Sequence, residues 1–307
     1  MHLLLKLLKL FFYSNYFIGL CAVALCVETN LQHNLPFNGK IFYTLVLLGT
    51  ATYYNYVYML AIPKTKYSDD RIDFYRENEK LVRTLHWLNI IICIILAGYL
   101  FVKYFDSFIR LTNIKWGLIA IFPLAAISYT FQVLPFPHLR KLRRIGWAKP
   151  FILGFVWSGI VTVYPIIFYQ VQLNYDSPVF SFPSGWLWLK NWMFISLLCV
   201  MFDIKDYETD KRNNLRTYAV QLGINKTISM VIVPLVIVGL ISFYIFTISK
   251  GLPTVRIAFN TIPYLLLIVS AYSLQRKRPV IFYLAFIDGL MIIKAICGIL
   301  GTELIKI

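Results

Sequence analysis

The chain predicts an all-α integral membrane protein, and three observations carry that expectation. Of its 307 residues, 59% are hydrophobic and only 14% are charged, against about 25% charged in soluble domains. Its mean hydropathy is +0.68. Apolar runs of the length a helix needs to cross a bilayer, roughly 20 residues, recur from one end to the other. One membrane domain over residues 1–307 is expected, without internal repeat, low-complexity tract or interdomain linker.

Nine spans are read in order. The first, 7–27, follows Lys6 and Lys9. Its Ala22-Val23-Ala24 imitates the cleavage site of a signal peptide, but the segment is read as a retained span. The second, 40–62, starts after Pro36 and Gly39 and stops at Pro63. The third is 82–102, and the fourth, 116–134, ends at Pro135 and Pro137. The stretch Pro178 to Gly185 separates the fifth, 150–171, from the sixth, 186–202. Gly251 and Pro253 divide the seventh, 228–249, from the eighth, 257–274, and Pro279 precedes the ninth, 280–303.

The formal net charge of +16 would point a soluble protein towards nucleic acid. Here the cations lie in short loops between apolar runs, where membrane topology explains them better, and no nucleic-acid partner is expected. With the N-terminus in the cytoplasm, 21 Lys and Arg fall on that side and 8 on the other. The positive-inside rule thus favours a multi-pass protein of the cell membrane with a cytoplasmic N-terminus. The loops 63–81, 135–149 and 203–227 then share the cytoplasmic face. Cys21, Cys26, Cys93, Cys199 and Cys297 all lie in apolar runs, without metal-ligand spacing or a disulfide framework. The four histidines form no metal-binding pair.

Charge concentrates in "FDIKDYETDKRNNLRTYAVQLG", Phe202 to Gly223, directly behind span six. At about 100° per helical residue, Asp203 and Asp206 lie about 60° apart, Asp206 and Asp210 about 40°, and Asp203 and Asp210 about 20°. Three carboxylates on one face repel one another and invite a cation. Magnesium takes carboxylate oxygens and leaves room for phosphate. Lys211, Arg212 and Arg216 are near enough in sequence to assist with an anionic ligand. A solvated, mixed-charge loop at the membrane surface fits the spacing equally well.

This stretch resembles the second aspartate-rich motif of the UbiA superfamily of intramembrane prenyltransferases. The matching positions are Asp203, Asp206, Asp210, Lys211, Asn213–Asn214, Arg216–Thr217 and Gly223. The nine-span, N-in reading agrees with that family along the whole chain and uses 7–27 as span one. The resemblance implies a ring of nine helices around a central cavity open to lipid. It also implies Mg2+ held on the diphosphate of an isoprenyl donor, with Asp203, Asp206 and Asp210 as catalytic and metal-binding residues. Departure of diphosphate would leave an allylic cation for a hydrophobic or aromatic acceptor to attack. Asn55, Lys141, Arg144, Lys211, Arg212 and Arg216 are the expected diphosphate contacts. The bilayer, a prenyl diphosphate and the acceptor are the expected partners.

The family's first aspartate-rich motif is degenerate here. In "TYYNYVYMLAIPKTK", Asn55 matches the family's asparagine, but the two acid positions hold Met59 and Pro63, neither of which binds magnesium. Several arrangements stay open. The three aspartates hold one metal unaided, or Asp69, Asp70 or Asp73 folds back from the loop, or Lys64 and Lys66 replace the metal's charge. The basic loop carrying Arg140, Lys141, Arg143, Arg144 and Lys149 reads as a diphosphate or lipid-headgroup contact, or as a topology determinant. Lys294, inside span nine, is expected either to snorkel or to face the interior, with Asp288 a poor same-helix partner. Two functions follow: a magnesium-dependent prenyltransferase, or a non-catalytic prenyl-lipid-binding protein of the same fold.

Overall fold

The computed structural model describes residues 2–61, 68–131, 146–175, 177–179 and 181–304. All secondary structure among them is helical. The helices are α1 (His2–Tyr13), α2 (Tyr16–Gln32), α3 (Lys40–Ala61), α4 (Asp70–Glu77), α5 (Glu79–Lys103), α6 (Phe105–Ile109) and α7 (Asn113–Phe131). After them come α8 (Gly146–Leu173), α9 (Phe182–Lys205), α10 (Tyr207–Arg212), α11 (Tyr218–Leu222), α12 (Ile224–Ser249), α13 (Thr254–Ser273) and α14 (Val280–Glu303).

Six of these, α5, α8, α9, α12, α13 and α14, are long and apolar enough to cross a membrane, and α1 with α2 makes a seventh if the bent pair is one span. The second and fourth predicted spans fall on α3 and α7. Helix α7 is a shorter apolar helix, and α3 carries Thr44, Thr50, Thr52, Asn55 and five tyrosines among its 22 residues. Span one differs most from expectation. Ser14 and Asn15 interrupt it, and the two arms meet at 58°. Asn15 stands in the left-handed region at φ 64°, which asparagine tolerates better than other side chains.

The helices pack in a circuit. Helix α3 lies between α2 and α5, α2 against α14, α14 against α13, and α13 against α12. The circuit continues from α12 to α9, α9 to α8, and α8 to α7. Leu25, Phe194, Leu197, Met201 and Ile287 are fully buried in the shared core. Trp87, Leu88, Ile91, Ile94 and Ile95 of α5 are exposed, as suits a helix facing lipid.

Backbone breaks are satisfied by neighbours, as an apolar medium demands. A π-turn runs over Gly159–Val163 in α8. Pro165, four residues beyond Val161, has no N–H to give that carbonyl, and the Thr29 hydroxyl of α2 donates to it at 2.7 Å. The Asn38 amide donates to the Pro165 carbonyl at 3.2 Å. This locks α2, and the turn before α3, onto α8.

Lys294 does not snorkel. It is 1% exposed and ion-pairs with Glu28 of α2 at 2.7 Å. Gln32 donates to the other Glu28 oxygen at 2.7 Å. A β-carbon at Gly298 would stand 2.3 Å from Glu28 Oε1, so that glycine makes room for the carboxylate. A fully paired ion pair is what lets two charges lie between apolar helices.

Candidate functional site

The aspartate stretch sits where α9 ends. Helix α9 stops at Lys205, the chain turns at Asp206, and α10 begins at Tyr207. The predicted unbroken helical face is thus divided: Asp203 lies on the last turn of α9 and Asp210 on α10. The Asn213–Asn214 pair then reverses the chain, with Asn214 at φ 53° and Leu215 N–H bonded to the Asp210 carbonyl at 2.9 Å. Thr217 caps α11 by accepting from Val220 N–H. Gly223, at φ 80°, ends it. The opening of α8 seats this return: a β-carbon at Gly146 would meet the Arg216 carbonyl carbon at 2.6 Å.

The three aspartates face different partners. Asp203 is fully buried, and its Oδ1 takes the Lys149 ammonium of α8 at 2.8 Å. Asp206 pairs with Lys205 at 2.9 Å. Asp210 is buried. Asp203 Oδ2 and Asp210 Oδ2 are buried with no hydrogen-bond partner among the described residues. Burial pushes the Asp206 carboxyl up, but Lys205, Lys149 and Arg71 outweigh it and hold it below the usual carboxylate range. Burial pushes Asp210 up to about 6, with Lys149 opposing and Asp206 and Asp203 adding to the rise.

Asp210 therefore binds its proton more tightly in the native state than in the unfolded chain. Its ionisation weakens the fold as pH rises from about 4 through about 6, by about 1–3 kcal/mol. Asp210→Asn is expected to raise the unfolding temperature in magnesium-free detergent at pH 7.5. That gain fades as pH falls towards 4. A gain that is independent of pH would contradict the assignment.

Helix α4 buries an arginine, while the acids around it are exposed or engaged locally. Asp69 is spent capping α4, accepting from the Arg71 and Ile72 N–H groups at 3.0 and 2.8 Å. Asp73 accepts from Ser68 and pairs with Arg76 at 3.8 Å. Asp70 is exposed. Arg71 is 2% exposed, lies 3.6 Å from the Tyr58 ring centre, and donates to Asn15 Oδ1 at 2.5 Å and the Tyr13 carbonyl at 3.1 Å. Asn15 in turn donates to Asn55 Oδ1 at 2.8 Å, which the Tyr75 hydroxyl also reaches at 2.6 Å. Asn55 is fully buried, and its Nδ2 has no partner among the described residues. The Arg71 charge acts on Asp206, and the Asp288 carboxylate of α14 acts on Arg71. Arg71 is thus joined to Asn55 by hydrogen bonds through Asn15 and acts by its charge on Asp206.

Lys211, Arg212 and Arg216 have exposed side chains, and Lys211 lies over the Tyr207 ring at 5.7 Å. Lys141 and Arg144, like Arg140, Arg143, Pro63, Lys64 and Lys66, fall outside the described residues. Met59, at one missing acid position, is partly buried on α3. Sequence reading missed Arg71, Lys205, Asn15, Tyr75 and Asp288. A cation among the acids of 69–73, and Asp288 inside an apolar run, were the available signals.

Among the described residues no three His, Cys, Asp or Glu side chains converge as a ready metal cage. The donor set still fits magnesium, which commonly takes one or two carboxylates and fills its remaining positions with water and phosphate oxygens. The Oδ2 atoms of Asp203 and Asp210, buried without a hydrogen-bond partner among the described residues, are oxygens of that donor type.

No family model matches the chain, and no curated protein matches it. A solved structure does: digeranylgeranylglyceryl phosphate synthase in membranes. The likeness has a TM-score of 0.55 at 14% identity and covers 97% of this chain and 99% of that one. At that identity it establishes a shared fold, a multi-helix bundle.

Proposed function

We propose that this chain is an intramembrane prenyltransferase that moves an isoprenyl group from a prenyl diphosphate to a hydrophobic or aromatic acceptor. The carrying observation is the two buried, unpartnered carboxylate oxygens of Asp203 and Asp210, with Lys149 paired to Asp203 and Lys205 to the neighbouring Asp206. The fold shared with a membrane prenyltransferase supports it. In this reading the nine helical spans surround the substrate, and the aspartates open to the cytoplasm.

The residues have separable roles. Asp203 and Asp210 would hold Mg2+, which, when bound, supplies positive charge against the departing diphosphate. Lys149 and Lys205 hold Asp203 and Asp206 in place and put fixed positive charge at the same end of the bundle. Arg71 does so from the other side, where the first motif has lost its acids. A cation held by packing and hydrogen bonds needs no reorganisation as charge develops on the leaving group. Lys211, Arg212 and Arg216 add exposed positive charge for capture of the anionic donor.

One observation favours the non-catalytic reading instead: Lys149 and Lys205 already neutralise two of the three aspartates. The purified chain, offered prenyl diphosphates of several lengths with magnesium and lipid extract as acceptor, is expected to release pyrophosphate. Donor binding without release at any length would replace the enzyme with a prenyl-lipid-binding protein.

A further inference from the structure

A second polar centre lies at the opposite end of α9. Lys190 precedes Asp203 by thirteen residues on this helix, about 20 Å at 1.5 Å per residue. Its ammonium donates to Asn260 Oδ1 of α13 at 2.6 Å, and Asn260 is anchored to the Arg256 carbonyl at 2.9 Å. Lys190, Arg256 and Asn260 line one small cavity. Glu28 is committed to Lys294. Among the described residues no acid lines that cavity, and the neutral Asn260 is the side chain that Lys190 bonds.

An apolar slot begins at this amine. It is a cavity of about 350 Å³ between α9, α12 and α13, lined by Trp186, Lys190, Trp192, Met193, Phe243 and Tyr264 among others. Its lining includes Leu189 and Val238, both exposed on the outer surface of the bundle, so the slot is open to the bilayer from the side. Ser196 also lines it, 3% exposed, with a hydroxyl that has no partner among the described residues. A smaller cavity at the Lys190 end is bounded by His33, Trp186, Arg256 and Asn260. Trp186 stacks on Phe246 at 4.9 Å, and Lys250 lies over Phe182 at 5.0 Å. Trp186, one helical turn before Lys190, is of the residue type enriched at membrane–water interfaces.

We propose that this slot binds an anionic phospholipid, with the phosphate at Lys190 and Arg256 and an acyl chain along Trp186, Trp192 and Met193. Charge complementarity decides the occupant. A neutral lipid leaves the excess positive charge uncompensated in a region of low dielectric, where it is costly. A free phosphate ion leaves the apolar slot unfilled. Pockets of this size and character, mostly apolar with a few convergent polar groups, suit small amphiphiles.

The slot tryptophans provide the test. The full chain is reconstituted in phosphatidylcholine vesicles containing either dibrominated phosphatidylglycerol or dibrominated phosphatidylcholine at equal mole fraction. The signal lost in a Trp186→Phe/Trp192→Phe variant is the slot's share. The brominated anionic lipid is expected to quench that share in preference to the neutral one. Lys190→Gln with Arg256→Gln should reduce the preference about tenfold, the size of a lost charge-assisted hydrogen bond. Lys190→Arg should keep it, which excludes misfolding as the cause. Equal quenching by both lipids, an unchanged preference in the double Gln variant, or loss of quenching on adding inorganic phosphate would each overturn the proposal. Asp203→Asn should leave the lipid preference intact, so failure of the transferase reading and failure of this one are distinguishable.

Discussion

Asp203→Asn will lower magnesium-dependent pyrophosphate release about 100- to 1,000-fold, the usual effect of removing one preorganised charge contact from a transition state. Asparagine keeps the shape of the side chain, and its carbonyl can still accept from Lys149, which now bonds Oδ1 at 2.8 Å. What disappears is the negative charge behind the unpartnered Oδ2. The loss should therefore appear as weaker magnesium activation and a lower kcat, with the protein folded. Asp73→Asn is the matching control. Its carboxylate is half exposed and tied to Ser68 and Arg76, and its loss should leave the rate unchanged. Near-normal release by Asp203→Asn would remove the aspartate stretch from the chemistry and leave the prenyl-lipid-binding reading.

The second large effect concerns stability. Glu28→Leu or Lys294→Met alone should cost about 3–5 kcal/mol, because each leaves an uncompensated charge between packed helices. Glu28 is 0% and Lys294 1% exposed, so water gives little relief. The double variant should recover most of the loss, since two apolar side chains of similar volume need no partners. A double-mutant cycle, read from thermal unfolding in detergent, reports this as a coupling of several kcal/mol. Additive single losses would mean that the two charges act independently.

Much of the architecture is legible along the chain. Helices cross membranes because apolar residues accumulate locally, and that sum can be read without knowing any neighbour. The runs around α5, α8, α9, α12, α13 and α14 reappear as long apolar helices. Helices α5, α8 and α9 extend one to four residues beyond the predicted spans at each end, and α14 matches 280–303. Span one moved furthest: α2 runs on to Gln32, where Glu28 accepts from both the Gln32 amide and the Lys294 ammonium, the latter 266 positions away.

The candidate site was legible in part. The spacing of Asp203, Asp206 and Asp210 marked it, and Asn213–Asn214 and Gly223 proved to be the turns that bring the chain back over α8. Arg71 was not legible. It stands among Asp69, Asp70 and Asp73, where the sequence suggests donated carboxylates, and only burial against Tyr58 and Asn15 distinguishes it. The same limit applies to Lys190, whose apolar surroundings come from three separate helices.

The sequence by itself determined a membrane bundle, its approximate spans and the place of an aspartate-rich end. Only the tertiary structure decided which charges are paired: Asp203 with Lys149, Glu28 with Lys294, and Lys190 with no acid of its own among the described residues. The physical reason is range. Hydrophobic content adds up residue by residue along a segment, whereas an ion pair requires two groups to meet within a few ångströms after helices distant in sequence have packed.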